Sequence, residues 1–228
     1  MSSKYDLTVV LPCRDEKNTV GKCVQKLKDA FNAYNIVAEI IVVDNASSDN
    51  SRDIATKAGA KTYLAKRVGY GYALRRGIRK AEADYIVMCD ADLTYDAYEV
   101  ISVYRTLKQG DYDIVIGDRF KGGISKGAMP LSHKIGVRAL SLLGRIKFHN
   151  DVRDYHCGLR GLTKEAADKL TFKTGGMEFA TEMIAQASKA GLSISQIPVH
   201  LRCCPYSRKS KLRTIRDGLR HVCFIISN

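Results

Sequence analysis

The sequence predicts an α/β protein of three layers, with helices on both faces of a mostly parallel central sheet. Three observations predict it. Short, continuously apolar, β-branched runs recur through the first 120 residues, longer amphipathic segments separate them, and several runs end in polar clusters. Strands buried on both faces of a parallel sheet read as unbroken apolar runs. Their alternation with helices marks a layered α/β architecture.

The apolar runs are LTVVLP (7–12), AEIIVVD (38–44), KTYLA (61–65), DYIVMCD (84–90) and YDIVIGD (112–118), each expected to be a strand. Between them, 18–33, 49–58, 71–82 and 97–109 carry helical periodicity. Residues 121–130, KGGISKGAMP, combine glycines, lysines and a proline and are expected to form a loop. Beyond it the expectation is a basic amphipathic helix over 131–147, a strand over 156–163, a helix over 178–190, a strand over 192–202 and a final helix over 212–227. The tail from Arg202 onward is rich in Lys and Arg, with Asp217 its one acid. No repeat or low-complexity segment divides the chain. The expectation is a single domain over 1–228 that ends in a basic helix.

Composition narrows the partners. With 228 residues and 45% hydrophobic content, one globular unit has ample material for a core. A formal charge of +13 draws the molecule toward polyanions: nucleic acid, anionic lipid or phosphorylated substrates. The seven cysteines are odd in number and lack CxxC spacing, which argues against a disulfide framework or a zinc module and for a reducing cytoplasm. MSSKYDLTVVLP lacks the plan of a signal peptide, and no stretch approaches the roughly 20 apolar residues of a membrane span.

In open α/β sheets ligands lie at the carboxyl ends of the strands. The clusters PCRDE, DNASSDNS, DAD and GDR are therefore expected to converge on one crevice. Asp90 and Asp92, flanking Ala91, are either a polar strand exit or two oxygen ligands for Mg2+ or Mn2+ carrying a nucleotide diphosphate. Asp44 sits where a carboxylate would meet a base or ribose, while Ser47, Ser48 or Asp49 caps the next helix. Pro12 ends the first strand and Arg14 and Glu16 follow it, where a nucleotide would lie, although Arg14 taken alone reads as a solvated surface residue. KRVGYGYALRRG lacks the third glycine of a dinucleotide fingerprint, so Gly71 serves either a turn or a close backbone approach to a nucleotide. Arg119 offers a planar fork to an oxyanion or to a neighbouring carboxylate. Asp154, His156 and Arg160 cluster in RDYHCGLR, and Glu178 and Glu182 share a helix face. Nothing completes a zinc set around His156 and Cys157, so Cys157 is expected to be structural.

In order, LPCRDE, VVDNASSDNS, GYGYA, CDADLTYD, GDRFKG, KGAMP, DYHCGLRGL, GMEFATEM and SKLRTIRDGLRH resemble glycosyltransferase family 2, and within it the polyprenyl-phosphate branch of dolichyl-phosphate mannose and glucose synthases. The resemblance covers nearly the whole chain. It implies the GT-A fold, Rossmann-like, and a metal-dependent inverting transfer of a hexose from a UDP- or GDP-sugar to a dolichyl or undecaprenyl phosphate, with 1–120 as the nucleotide-sugar-binding half and 121–228 as the acceptor-binding half, its basic C-terminal helix proximal to the membrane. It also implies that Pro12, Arg14, Glu16, Asp44, Gly71, Asp90, Ala91 and Asp92 bind the nucleotide sugar, that Asp90 and Asp92 hold the metal, and that Arg119 meets a diphosphate or acceptor phosphate. Lys126, Lys134, Arg138, Arg202 and Lys211 are further candidates for steering that acceptor phosphate. With a hydroxyl acceptor instead, a protein or a small molecule, Asp154 or Glu182 would be the base. Two departures stand out: Asn45-Ala46 where many relatives have Asp-Gly, and Thr94 where some carry Gln. They bear on the donor and on a third metal ligand.

Relatives often continue into membrane spans, whereas this sequence ends at Asn228. The expectation is a cytoplasmic protein, peripheral on an anionic membrane surface, docking on a membrane-protein partner or forming a homo-oligomer. A basic module for RNA is the rival class; the acidic strand tips and the absence of an aromatic stacking motif count against nucleic acid.

Overall fold

Seven strands form one sheet: β1 (Leu7–Cys13), β2 (Ala38–Asp44), β3 (Lys61–Leu64), β4 (Tyr85–Met88), β5 (Ile114–Asp118), β6 (Arg160–Thr163) and β7 (Ile194–Pro198), in the order β3-β2-β1-β4-β6-β5-β7. The computed structural model describes residues 3–206 and 214–228. Central β1 and β2 are buried almost throughout, whereas β3 and β7, at the two edges, are only half-buried. The unbroken apolar runs therefore mark the middle of the sheet, where helices cover both faces.

Nine helices are described: α1 (Val20–Ala33), α2 (Ser51–Lys57), α3 (Tyr70–Lys80), α4 (Ala97–Lys108), α5 (Arg119–Gly122), α6 (Leu131–Phe148), α7 (Lys164–Lys169), α8 (Phe179–Lys189) and α9 (Thr214–Ser227). α1 packs with α2 and α4, while α3 lies on β1, β2 and β3 and meets α8, which in turn carries α6 and α9. A capping box starts α4: the Asp96 side chain accepts from the backbone and Glu99 returns a bond to the Asp96 N–H. Gly77 lets α3 lie close on the sheet, since a Cβ there would fall 2.2 Å from the Val10 side chain.

β6 runs antiparallel to both neighbours, β4 and β5, and all other pairings are parallel. The mostly parallel sheet is as expected, but several elements differ in extent. Of 156–163 only Arg160–Thr163 is strand, because the preceding residues turn across the strand ends. Of 192–202 only Ile194–Pro198 is strand, with Leu201 reaching Ile124 in an isolated bridge. The loop expected over 121–130 begins inside α5, a single turn capped by the Asp118 side chain. α7 was not foreseen; at 6 residues it is too short to show periodicity, and Thr163 caps it.

Candidate active site

The register gathers the polar clusters. Cys13 lies opposite Asp44, Met88 opposite Arg160, and Asp118 opposite Pro198. β6 is antiparallel, so its first residue, Arg160, sits at the edge where the parallel strands end. The chain fills the sheet from β1 outward through β2 and β3, then crosses back to β4 on the other side of β1. That reversal of direction opens a crevice at the carboxyl edge, the usual ligand position in such sheets.

On the β1–β2 side, two loops are stitched together. Asp15 N–H donates to Ser47 Oγ at 3.0 Å, Glu16 N–H to Ser51 Oγ at 2.7 Å and Lys17 N–H to Asp49 Oδ2 at 3.1 Å. In return Ser48 donates to Asp15 Oδ1 at 2.6 Å from its N–H and 3.0 Å from its hydroxyl. Of the residues expected to cap α2, Asp49 takes the N–H of Ser51, the first helical residue, on its Oδ1 at 3.0 Å, although the N-cap position itself is Asn50, without a side-chain bond; Ser47 and Ser48 fix the loop after β1 instead. Asp44 is buried and accepts from Ser47 N–H at 3.1 Å. Glu16 is buried and accepts from the Thr19 hydroxyl at 2.9 Å; Arg14 is exposed and Pro12 half-buried. Asn45 Oδ1 takes the Gly69 N–H at 2.8 Å, tying the β2 tip to the start of α3.

Asp90 and Asp92 face this pair of loops across the β1/β4 boundary. Asp90 is half-buried and accepts from the Tyr70 hydroxyl at 3.3 Å. Burial first, and then the Asp90 charge, pushes the Tyr70 hydroxyl well above its ordinary range, so it keeps its proton and donates. Gly158 makes room for the carboxylate: a Cβ there would fall 2.1 Å from Asp90 Oδ2. Asp92 is buried, and its Oδ1 accepts from Thr94 twice, from N–H at 3.0 Å and from the hydroxyl at 2.5 Å. Ala91 between them is buried. Left-handed backbone at Asp15 (φ 50°), Ala46 (φ 57°) and Leu93 (φ 64°) concentrates strain just past the ends of β1, β2 and β4.

The donor set suits a hard cation. Both candidate ligands, Asp90 and Asp92, offer carboxylate oxygens, and no group of three or more His, Cys, Asp or Glu side chains forms a metal cluster among the described residues. Two protein carboxylates are too few to complete six oxygen ligands. They fit a Mg2+- or Mn2+-sized ion whose other oxygens come from a nucleotide diphosphate and water.

On the other side of the crevice, Arg119 is buried and forks onto Asp154, Nε to Oδ2 at 2.6 Å and Nη2 to Oδ1 at 2.7 Å. Burial opposes the Arg119 charge, but Asp154 outweighs it and holds the guanidinium well above its ordinary range. Asp154 also accepts from the backbone N–H groups of Arg119 and His156. As a base candidate it is therefore corrected: both its oxygens are engaged and it is fully buried. Glu182 is corrected likewise. It is buried and accepts from Lys173 N–H, Thr174 N–H, the Thr174 hydroxyl and Gln186 Nε2, which pins the 173–174 segment to α8. Gly71 is corrected too, because a Cβ there would meet Phe179 Cβ and Thr174 O at 2.9 Å. Its smallness lets α3 approach that pinned segment rather than a nucleotide.

Among the candidate cations, Arg119, Lys134 and Arg138 come together with Phe120, Ile124, Leu131 and Ile135 around an open cleft of about 290 Å³. Arg138 stacks over the Phe120 ring at 4.6 Å. Lys126 and Arg202 do not line this cleft: Lys126 is exposed, and Arg202 pairs with Asp96 at 2.5 Å. Lys211 lies outside the described residues. Cys157 is buried, and burial followed by Asp154 pushes its thiol up to about 12, in keeping with a structural role. Arg160, fully buried, donates to the carbonyls of Tyr155, Cys157 and Ala180 and binds the RDYHCGLR turn to α8. Tyr70 escaped the sequence reading, since nothing in GYGYA signals that its hydroxyl reaches a carboxylate 20 residues away.

Comparison with known proteins gives the family. The family described as Glycosyl transferase family 2 matches residues 8–171. The low-salt glycan biosynthesis hexosyltransferase Agl6 of Haloferax volcanii is 33% identical over 223 residues, 97% of this chain and 53% of that protein. The chain thus spans about half the length of that relative. A dolichyl-phosphate hexose transferase of the same organism is 28% identical over 199 residues, 86% of this chain and 83% of that protein. Glucosyl-3-phosphoglycerate synthase from Mycobacterium tuberculosis, solved in complex with Mn2+ and uridine-diphosphate-glucose, superposes with a TM-score of 0.77 at 21% identity, over 98% of this chain and 78% of that one. The likeness to that structure is one of fold.

Proposed function

The chain belongs to glycosyl transferase family 2, and on that premise we propose that it moves a hexose from a UDP- or GDP-linked donor to a polyprenyl phosphate at a cytoplasmic membrane face. The observation that carries the acceptor is the cleft beside the crevice, whose walls combine Arg119, Lys134 and Arg138 with Phe120, Ile124, Leu131 and Ile135. Cations beside apolar side chains suit a phosphate carrying a hydrocarbon chain. The name of the dolichyl-phosphate hexose transferase among the relatives supports the same class.

Transfer is a single displacement. A phosphate oxygen of the acceptor bonds to the anomeric carbon from the face opposite the donor's diphosphate, the old bond to the diphosphate breaks, and the configuration inverts. The departing diphosphate takes the electron pair. A divalent cation held by Asp90 and Asp92 would supply positive charge to that leaving group. Tyr70 and Thr94 orient the two carboxylates, and Asp154 orients Arg119. Asp44 and Glu16 stand where the nucleoside would lie. A phosphate is already anionic near neutral pH and needs no base. A hydroxyl acceptor does need one, and both candidates, Asp154 and Glu182, are buried and fully engaged. That engagement favours the phosphate over the hydroxyl.

The test is incubation with Mn2+ or Mg2+, a prenyl phosphate and a panel of UDP- and GDP-sugars, following sugar into the lipid fraction. One donor is expected to give lipid-linked sugar, with no product after chelation and none from Asp92→Ala, whose fold is retained. Transfer to a soluble hydroxyl alone would overturn the lipid reading. Full activity of Asp92→Ala would overturn the metal assignment.

A further inference from the structure

α6 turns an apolar face outward. Its buried residues, Ser141, Gly144 and Phe148, lie on one side, where Gly144 fits against the Tyr155 ring. On the opposite side Leu131, Ile135, Leu142 and Ile146 are 72%, 62%, 52% and 66% exposed. At 100° per residue these four fall within an arc of about 60°, in a stripe about 22 Å long. Lys134, Arg138 and Arg145, the last of them 3.7 Å from the exposed Asp151 carboxylate beyond the helix, follow one flank of the stripe, and the helix LSHKIGVRALSLLGRIKF contains no acid. α9 packs against α6 and exposes Leu219 and Ile226, one heptad apart. Single exposed leucines are ordinary, but a continuous stripe of them marks a contact surface.

We propose that α6, with α9 beside it, lies in the headgroup region of an anionic lipid bilayer, its Leu131–Ile146 stripe inserted and its flanking cations on the lipid phosphates. Charge selects this occupant over a protein surface: a helix with cations and no acid, in a chain of formal charge +13, complements a uniformly negative plane. Geometry gives the docking a purpose under the lipid-acceptor reading, on which this part rests. Leu131 and Ile135 belong both to the stripe and to the wall of the acceptor cleft. A prenyl chain leaving the bilayer along the stripe therefore enters the cleft without crossing water. No described helix is long and apolar enough to cross a membrane, so insertion would be confined to the interface.

The experiment is co-sedimentation of the full chain with phosphatidylcholine vesicles, with and without phosphatidylserine, in the absence of donor and acceptor. Wild type is expected to bind the anionic vesicles, to release them as salt rises, and to bind neutral vesicles weakly. Leu142→Glu/Ile146→Glu, placed in the stripe but away from the cleft, is expected to lower binding at least about tenfold. Its melting temperature should be unchanged, since both positions are exposed. Transfer to a detergent-dispersed prenyl phosphate should persist in that variant, which separates this proposal from the transfer reading: vesicle binding without transfer to any lipid defeats only the latter. Unaltered binding by the variant would overturn the proposal. So would a wild-type dimer that ignores vesicles and is split by the same substitutions.

Discussion

At the scale of single residues, the candidate site is defined by what holds its carboxylates. Asp92 has one oxygen fixed by both the N–H and the hydroxyl of Thr94. Thr94→Val keeps the shape and the N–H and removes the hydroxyl. Partners of metal ligands typically contribute 10–100-fold in affinity, so the Mn2+ concentration for half-maximal transfer is expected to rise by about tenfold, with little change in melting temperature. An unchanged Mn2+ requirement would show that Thr94 does not position Asp92. Asp154 separates two roles. A general base lost in Asp154→Asn would abolish turnover in a stable protein. An anchor for buried Arg119 would instead cost about 3 kcal/mol, because a buried cation is left without its counter-charge. The second outcome is expected, read as a shift of the denaturant midpoint. Acids at strand ends could be picked from the sequence; whether they were free to take a proton could not. Asp154 is saturated by Arg119 and the His156 N–H, and Glu182 by the 173–174 segment and Gln186, and apart from the Gln186 contact within α8 no local pattern encodes these approaches.

Among the elements, α9 is fastened to the site by an imidazole pair. His156 Nε2 lies 3.2 Å from His221 Nδ1, which also meets the Thr181 hydroxyl of α8 at 2.7 Å. His156 Nδ1 is sealed from water without a partner. The charged groups around the pair are Glu178 at the N-cap of α8, Asp217 and Arg220 on α9, and Arg119 and Arg160 from the crevice. Burial, followed by His221, Arg119 and Arg160, lowers His156 well below its usual value. Burial also brings His221 down to about 4, although Glu178 and Asp217 pull the other way. Both imidazoles are therefore neutral in the folded chain, while unfolded histidines protonate near about 6.5. Between those values the unfolded state takes up protons that the folded state refuses, so stability falls as pH drops from about 6.5 toward 4, by about 1.4 kcal/mol per pH unit for each imidazole. Melting curves from pH 7.5 to 5 should show this slope, and His221→Gln should reduce it by about half. A slope unaffected by the substitution would place the titrating groups elsewhere. None of this fastening was visible beforehand. Strand and helix cores were legible because interior parallel strands read as apolar runs and helices as amphipathic periods. The ends of β6 and β7, the short α5 and α7, and contacts between residues as far apart as 156 and 221 were not, because they are decided by tertiary packing.

Across the whole molecule, one sheet carries both sides of the crevice. β6, which comes late in the chain, is inserted between β4 and β5, so residues beyond 121 complete the sheet begun by the first five strands. The proposed nucleotide and acceptor sides thus share the strands of one sheet. A ligand bound at the β1/β4 boundary should stabilise the entire fold, by about 2.7 kcal/mol at a hundredfold excess over Kd. For a chain of this size that corresponds to a rise in melting temperature of about 5–10 °C. The expected result with UDP or GDP is a small rise alone and a larger one with Mn2+, since on the proposed assignment Asp90 and Asp92 would hold the cation that also binds the diphosphate. The nucleotide giving the larger rise also identifies the donor's base. Asp92→Ala should keep the small rise and lose the Mn2+-dependent part. If the Mn2+-dependent rise persists in that variant, the cation sits on other residues, and the two acids at the end of β4 are a polar strand exit.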